Sequence, residues 1–198
     1  MIQVIIKIHN YKVKEWYKEV LVVDNNTLVN IYGVRMKFKE FGRITDSLVF
    51  GWCLFLTISY LQDLHRNKKL FHGDIKPMNI FYKVDTSYIT SDSGSLIPLY
   101  DNQELFQAKV FTPGYASESF SWKCKNGLNF TRKELLEEDF HQLKTTVKVI
   151  VEKQSQFLSC SFVTHIQAVM DRCVTTEELW DTLIQNTEFI SQVIDSFR

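Results

Sequence analysis

The chain has 198 residues, 45% of them hydrophobic and 23% charged, enough apolar material to bury a core and too much for a disordered polypeptide. Basic and acidic residues number 23 each, so the formal charge at pH 7 is zero. That balance excludes a global field that would recruit nucleic acid or an anionic membrane, and the length suits one domain or a two-lobed unit rather than several domains.

In chain order, the opening "IQVIIKI" is a β-branched run that predicts a strand, and "YKVKEWYKEVLVV" mixes charged and apolar residues at helical spacing. The turn cluster in "DNNTLVNIYGV" leads into a strand ending at Gly33, and "RMKFKEFG" predicts a further strand ending at Gly42. From Thr45 the pattern changes to long helices, which places a boundary between Gly42 and Asp46. "TDSLVFGWCLFLTISYLQDLHRN" predicts a helix buried on most faces, with Thr45 or Asp46 as N-cap. Its apolar run Leu48 to Leu61 contains Gly51, Thr57 and Ser59 and is too short to span a bilayer comfortably, so no membrane span is expected.

Between Lys68 and Asn129 regular pattern fails, and all three prolines, Pro77, Pro98 and Pro113, lie there. An irregular stretch of this length inside a compact domain points to function. "TRKELLEEDFHQLKTTVKVIVEK" then sets Leu136, Phe140, Leu143, Val147, Ile150 and Val151 on one helical stripe with lysines opposite. "FVTHIQAVM" repeats apolar residues at helical spacing, and "TTEELWDTLIQNTEFISQVIDSF" opens with a capping box from Thr175 to Glu178. Cys53, Cys124, Cys160 and Cys173 lack the paired spacing of a zinc site, and no signal peptide precedes them, which predicts a reduced, intracellular, cytoplasmic chain. His9, His65, His141 and His165 stand apart from one another and from any cysteine pattern, so no metal site is expected there.

Chemistry concentrates in "FHGDIKPMNIF", Phe71 to Phe81, where a histidine, an aspartate, a lysine and an asparagine share a turn broken by Gly73 and Pro77. "HGDIKPMNI" resembles the catalytic loop of the protein-kinase family, H-R-D-L-x-x-x-N. The resemblance implies that Asp74 is the base that orients a hydroxyl, Asn79 a magnesium ligand, and Lys76 the cation steadying the transferred phosphate, as in serine/threonine kinases. His72 then reads as a packed structural histidine of the loop.

Thirteen residues past Asn79, "SDSGS" is similar to the family's D-F-G motif, which makes Asp92 a second magnesium ligand and Gly94 the flexible turn residue. "VIIK" resembles the strand whose lysine grips the ATP phosphates, here Lys7, with Glu19 in "WYKEVLVV" as its helix partner and Glu15 as the substitute. "FTPGYASES" is similar to the segment that forms the substrate shelf, in which Thr112 would bond Asp74 and Lys76. "EEDFHQL" resembles the helix whose aspartate, here Asp139, accepts hydrogen bonds from the catalytic-loop backbone.

The fold so implied is α+β and kinase-like: a truncated, β-rich N-lobe over residues 1–43 and a mainly helical C-lobe over 44–198. The implied activity is ATP- and Mg²⁺-dependent phosphoryl transfer to serine or threonine hydroxyls of a protein, with no nucleic-acid partner. Departures from the pattern support two alternatives. No G-x-G-x-x-G loop precedes Lys7, Ser93 replaces the D-F-G phenylalanine and "ASES" lacks the usual proline, which suits a pseudokinase acting as a binding or regulatory scaffold. Gly73 in place of arginine removes the reader of an activation-segment phosphate and matches the H-G-D loop of small-molecule kinases acting on aminoglycosides or choline.

Overall fold

A computed structural model describes residues 20–24, 27–30, 35–37, 39–40, 47–83, 86–89, 95–154 and 161–186, which form a mixed helix-and-sheet fold of the α+β kind. Lys7, Glu19, Asp92, Gly94 and the "IQVIIKI" run lie outside these described residues.

Strands β1 (Val20–Asp24), β2 (Thr27–Asn30) and β3 (Arg35–Lys37) pair antiparallel in that order. The helical pattern expected to run through Val23 does not hold over Val20–Val23, which are strand. Val20, Val22 and Val23 are β-branched, and Asp24 sits opposite Thr27, so a partner strand is at hand two residues along the chain. Pairing overrides charge periodicity there.

The strand expected over "RMKFKEFG" is divided between sheets. Its second part, β4 (Lys39–Glu40), pairs with β6 (Ile80–Lys83), which forms a hairpin with β7 (Thr86–Ile89). Two further strand pairs are short: β5 (Leu70–Phe71) with β8 (Ile97–Pro98), and β9 (Leu105–Phe106) with β10 (Phe130–Thr131).

Helix α1 (Ser47–Arg66) is buried on nearly every face, as its near-continuous apolar sequence requires. Thr57 within it donates to the Cys53 carbonyl one turn back (2.8 Å), which satisfies a hydroxyl that has no water to meet. Helix α2 (Glu118–Lys125) falls in the region where no regular pattern was expected. Its only buried residue is Phe120, so no apolar stripe announces it, and Ser117 caps it by accepting from the Phe120 N–H.

Helix α3 (Arg132–Lys153) carries the complete capping box: Thr131 accepts from the Glu134 N–H, and Glu134 accepts from the Thr131 N–H (2.8 Å). At the head of the last described helix the expected box is only half formed. Thr175 caps Glu178, but the Glu178 carboxylate reaches the Val174 N–H (2.9 Å) instead of that of Thr175. Helices α4 (Ser161–Met170) and α5 (Thr176–Gln185) complete the described helices, none of which is long and apolar enough to cross a membrane.

Among the described residues two apolar clusters result. The larger joins α1 (Phe50, Leu54, Ile58, Leu61) to Phe140, Leu143, Val147 and Ile150 of α3 and to the inner faces of α4 and α5. The smaller gathers Phe71, Leu99, Phe106, Phe120, Phe130 and Leu135, with the Phe120 ring centroid 4.7 Å from that of Phe130. Helix α3 serves both, which Leu135, absent from the expected stripe, makes possible. Cys53, Cys124 and Cys173 are free thiols; burial pushes Cys124 up to about 11, aided by the nearby Glu138 charge.

Because α3 starts on a reciprocal cap, Thr131→Ala should lower the unfolding free energy by about 1 kcal/mol in urea denaturation. An unchanged midpoint would show that the cap contributes nothing.

Candidate functional site

The segment from Phe71 to Ile75 hangs between the two clusters. Phe71 is buried in the smaller one and Ile75 in the larger, so His72, Gly73 and Asp74 form the bridge. Apolar anchors on both sides fix where the loop sits; hydrogen bonds to α3 fix its shape.

Asp139, fully buried on α3, accepts the backbone N–H groups of His72 and Gly73 and the Nε2–H of His65, all at 2.8 Å. One turn on, Gln142 Oε1 accepts the Ile75 N–H (2.8 Å), and a further turn on Thr146 donates to the Ile75 carbonyl (3.1 Å). Residues spaced three and four apart share one helix face, so α3 presents a polar row to the loop alongside its apolar stripe. His72 is buried, and its Nδ1 accepts the Asp74 N–H (3.2 Å), closing a tight local turn.

Gly73 has φ +79°, and a Cβ there would lie 2.7 Å from a Phe71 ring carbon and 2.9 Å from the Ser95 carbonyl oxygen. Backbone conformation and space both demand glycine. The absence of arginine at this position thus has a local structural cause.

Pro77 opens a 3₁₀ turn, Pro77–Asn79, and the residue before a proline is held extended; Lys76 has φ −152° and ψ 162°. The Lys76 ammonium reaches Asp74 Oδ2 (2.9 Å) and Thr112 Oγ1 (2.9 Å). Thr112 in turn donates to Asp74 Oδ1 (2.5 Å), and the Asn79 amide donates to Asp74 Oδ2 (2.7 Å) and to the Asp74 carbonyl (2.9 Å). Burial of Asp74 works to raise its pKa. The hydrogen bonds from Thr112 and Lys76, the Lys76 charge and the Asn79 amide outweigh it and hold the carboxyl below its ordinary value.

Of the residues singled out from the sequence, Asp74, Lys76, Asn79 and Thr112 therefore meet at one carboxylate, with His72 and Asp139 behind them. Lys7, Glu19, Asp92 and Gly94 are not among the described residues. The Asn79 amide nitrogen is engaged with both the carboxylate and the carbonyl of Asp74. Among the described residues no group of three or more His, Cys, Asp or Glu is arranged to hold a metal ion. Two open clefts of about 470 and 610 Å³ lie elsewhere along α3, sharing His141 and Lys144, and Asp74 lines neither.

Sequence reasoning missed His65, Gln142 and Thr146. The available signal was polar residues on the buried face of an amphipathic helix: Asp139 beside Phe140, Gln142 beside Leu143, Thr146 beside Val147. No protein-family model matches the chain, and a search of curated proteins finds none similar to it.

Two measurements follow from this geometry. Gly114 also has positive φ (+85°) but nothing near its missing Cβ, so Gly114→Ala should cost about 1 kcal/mol from backbone strain alone. Gly73→Ala should cost clearly more; equal costs would discount the contacts with Phe71 and Ser95. Asp74 has a depressed folded-state pKa, so its stabilisation is present above the ordinary carboxylate value of 3.8 and is lost as pH falls below it. The stability advantage of wild type over Asp74→Asn should accordingly be flat near neutrality and shrink on acidification from about pH 4. An advantage that grows on acidification would reverse the sign of the assigned shift.

Proposed function

We propose that this chain has a kinase-like, two-lobed fold and transfers the γ-phosphoryl group of ATP to a serine or threonine hydroxyl of a protein substrate. The observation that carries this reading is the Asp74 carboxylate held at once by Lys76, Thr112 and Asn79, on a loop whose backbone is pinned to a buried aspartate. Phosphoryl transfer asks a protein for positioning and charge stabilisation more than for covalent chemistry, and this cluster supplies both.

A carboxylate kept ionised by three donors is a weak base, so Asp74 acts first by orienting. It accepts the hydrogen bond of the substrate hydroxyl and fixes the oxygen for in-line attack. As the oxygen–phosphorus bond forms, the hydroxyl becomes acidic and its proton passes to Asp74, while the bond to the β–γ bridging oxygen breaks. Lys76, already shared between Asp74 and Thr112, is placed to lend its charge to the equatorial phosphate oxygens. Thr112 ties the segment that would carry the substrate hydroxyl to the base that receives its proton. Asn79 and Asp92 are the oxygen donors that would hold Mg²⁺, which when bound neutralises phosphate charge. Lys7 is the assigned partner of the ATP phosphates, with the Glu19 carboxylate pairing Lys7 to hold it in place.

The test is thermal unfolding with ATP, with and without Mg²⁺, followed by transfer assays. Wild type should be stabilised by Mg²⁺ and ATP together and should phosphorylate a serine peptide. Asp74→Asn should keep the stabilisation and lose transfer by roughly 10²–10⁴-fold. No shift in melting temperature for wild type would reject the reading in favour of a binding scaffold; transfer to choline or an aminoglycoside but not to the peptide would reject the protein substrate.

A further inference from the structure

Residues 112–117 form a compact turn in which the Thr112 carbonyl accepts the N–H groups of both Tyr115 and Ala116 (3.2 Å each). Its first residue, Thr112, is bonded to Asp74 and Lys76. Its last, Ser117, is bonded to α3: its N–H and Oγ–H donate to the two carboxylate oxygens of Glu138 (3.1 and 2.6 Å). Glu138 Oε1 also accepts from Gln142 Nε2 (2.9 Å), and Gln142 spends its other groups on the loop, accepting from the Ile75 N–H (2.8 Å) and donating to the Gly73 carbonyl (3.4 Å). The contacts close a ring from Asp74 through Thr112, the turn, Ser117, Glu138 and Gln142, back to the residues on either side of Asp74.

We propose that Glu138 and Gln142 are positioning residues that transmit the seating of the 112–117 turn to the backbone flanking Asp74. The proposal rests on the reading of Asp74 as the base and adds how its geometry is regulated by the turn. Every polar end of the Gln142 side chain is engaged, so loss of Glu138 leaves one N–H of a buried amide held only by the long contact to the Gly73 carbonyl and loosens the orientation in which its oxygen accepts from Ile75. Glu138 is 4% exposed and its partners are neutral donors; burial raises its pKa against the lowering effect of Ser117 and Gln142. A buried carboxylate in that position depends on keeping those donors, so losing Ser117 is felt at Gln142.

The experiment compares Ser117→Ala, Ser117→Thr, Glu138→Ala and Thr131→Ala with wild type by hydrogen–deuterium exchange of the loop amides and by steady-state phosphoryl transfer. Ser117→Ala and Glu138→Ala should each speed exchange of the Ile75 amide by roughly tenfold, with no further gain in the double variant. Ser117→Thr, which keeps the hydroxyl, should restore protection, and Thr131→Ala, which weakens α3 at its cap, should leave that amide unchanged. Transfer should show kcat lowered roughly tenfold by Ser117→Ala with the KM for ATP within about twofold. An Ile75 amide indifferent to Ser117→Ala, or loosened equally by Thr131→Ala, overturns the coupling. The exchange result decides the coupling whether or not wild type transfers phosphate; a wild type inactive with Mg²⁺ and ATP overturns the function reading instead.

Discussion

Everything at the loop depends on one buried carboxylate. Removing Asp139 from water costs several kcal/mol before any partner is counted, and an anion in that position is tolerated only if its lone pairs are occupied. Two backbone N–H groups and the His65 ring occupy them at 2.8 Å. The dependence runs both ways. The loop cannot change shape without stranding a buried charge, and α3 cannot move without taking the loop with it.

That constraint explains how an otherwise irregular segment holds a reactive group steady. Asp74 needs no rigid side chain, because the backbone on each side of it is fixed: Gly73 by Asp139, Ile75 by Gln142 and Thr146, and the flanking Phe71 and Ile75 side chains by separate apolar clusters. What is left to vary is the carboxylate itself, and three donors set its charge state. On the proposed reading this arrangement trades base strength for orientation. A carboxyl held below its ordinary pKa is a poor proton acceptor from an alcohol, yet it is always ionised near neutrality and always aimed.

The parts of this fold that could be read from the chain are those whose cause is local. A long apolar run makes α1 a buried helix whatever surrounds it, and the stripe Phe140, Leu143, Val147, Ile150 makes α3 a core helix. Thr112 and Asp139 were assigned through the order of motifs, since neither carries a local signature. The misreadings share the opposite cause. Val20–Asp24 follows its partner strand rather than its charge spacing, and α2 shows one buried residue and so no periodicity. Gln142 and Thr146 look like interruptions of an apolar face until a loop more than sixty positions away in sequence supplies the donors and acceptors they meet. Side chains whose role is to satisfy distant backbone carry little sign of it in their own neighbourhood.

Gly73 joins these levels. With φ +79° and the Phe71 ring and Ser95 carbonyl closing on its missing Cβ, no side chain fits without displacing an anchor of the smaller cluster. A long cationic side chain at position 73 is thereby excluded by packing rather than merely absent. Among the described residues the 112–117 segment is instead tied to the loop and to α3 through hydroxyls. They are the hydroxyls of Thr112, bonded to Asp74 and Lys76, and of Ser117, bonded to Glu138. Hydroxyl contacts to carboxylates of this kind are worth about 1.5–3 kcal/mol each, enough to hold the segment in register with Asp74. On the proposed reading, the seating of the 112–117 turn decides how firmly Asp74 is aimed.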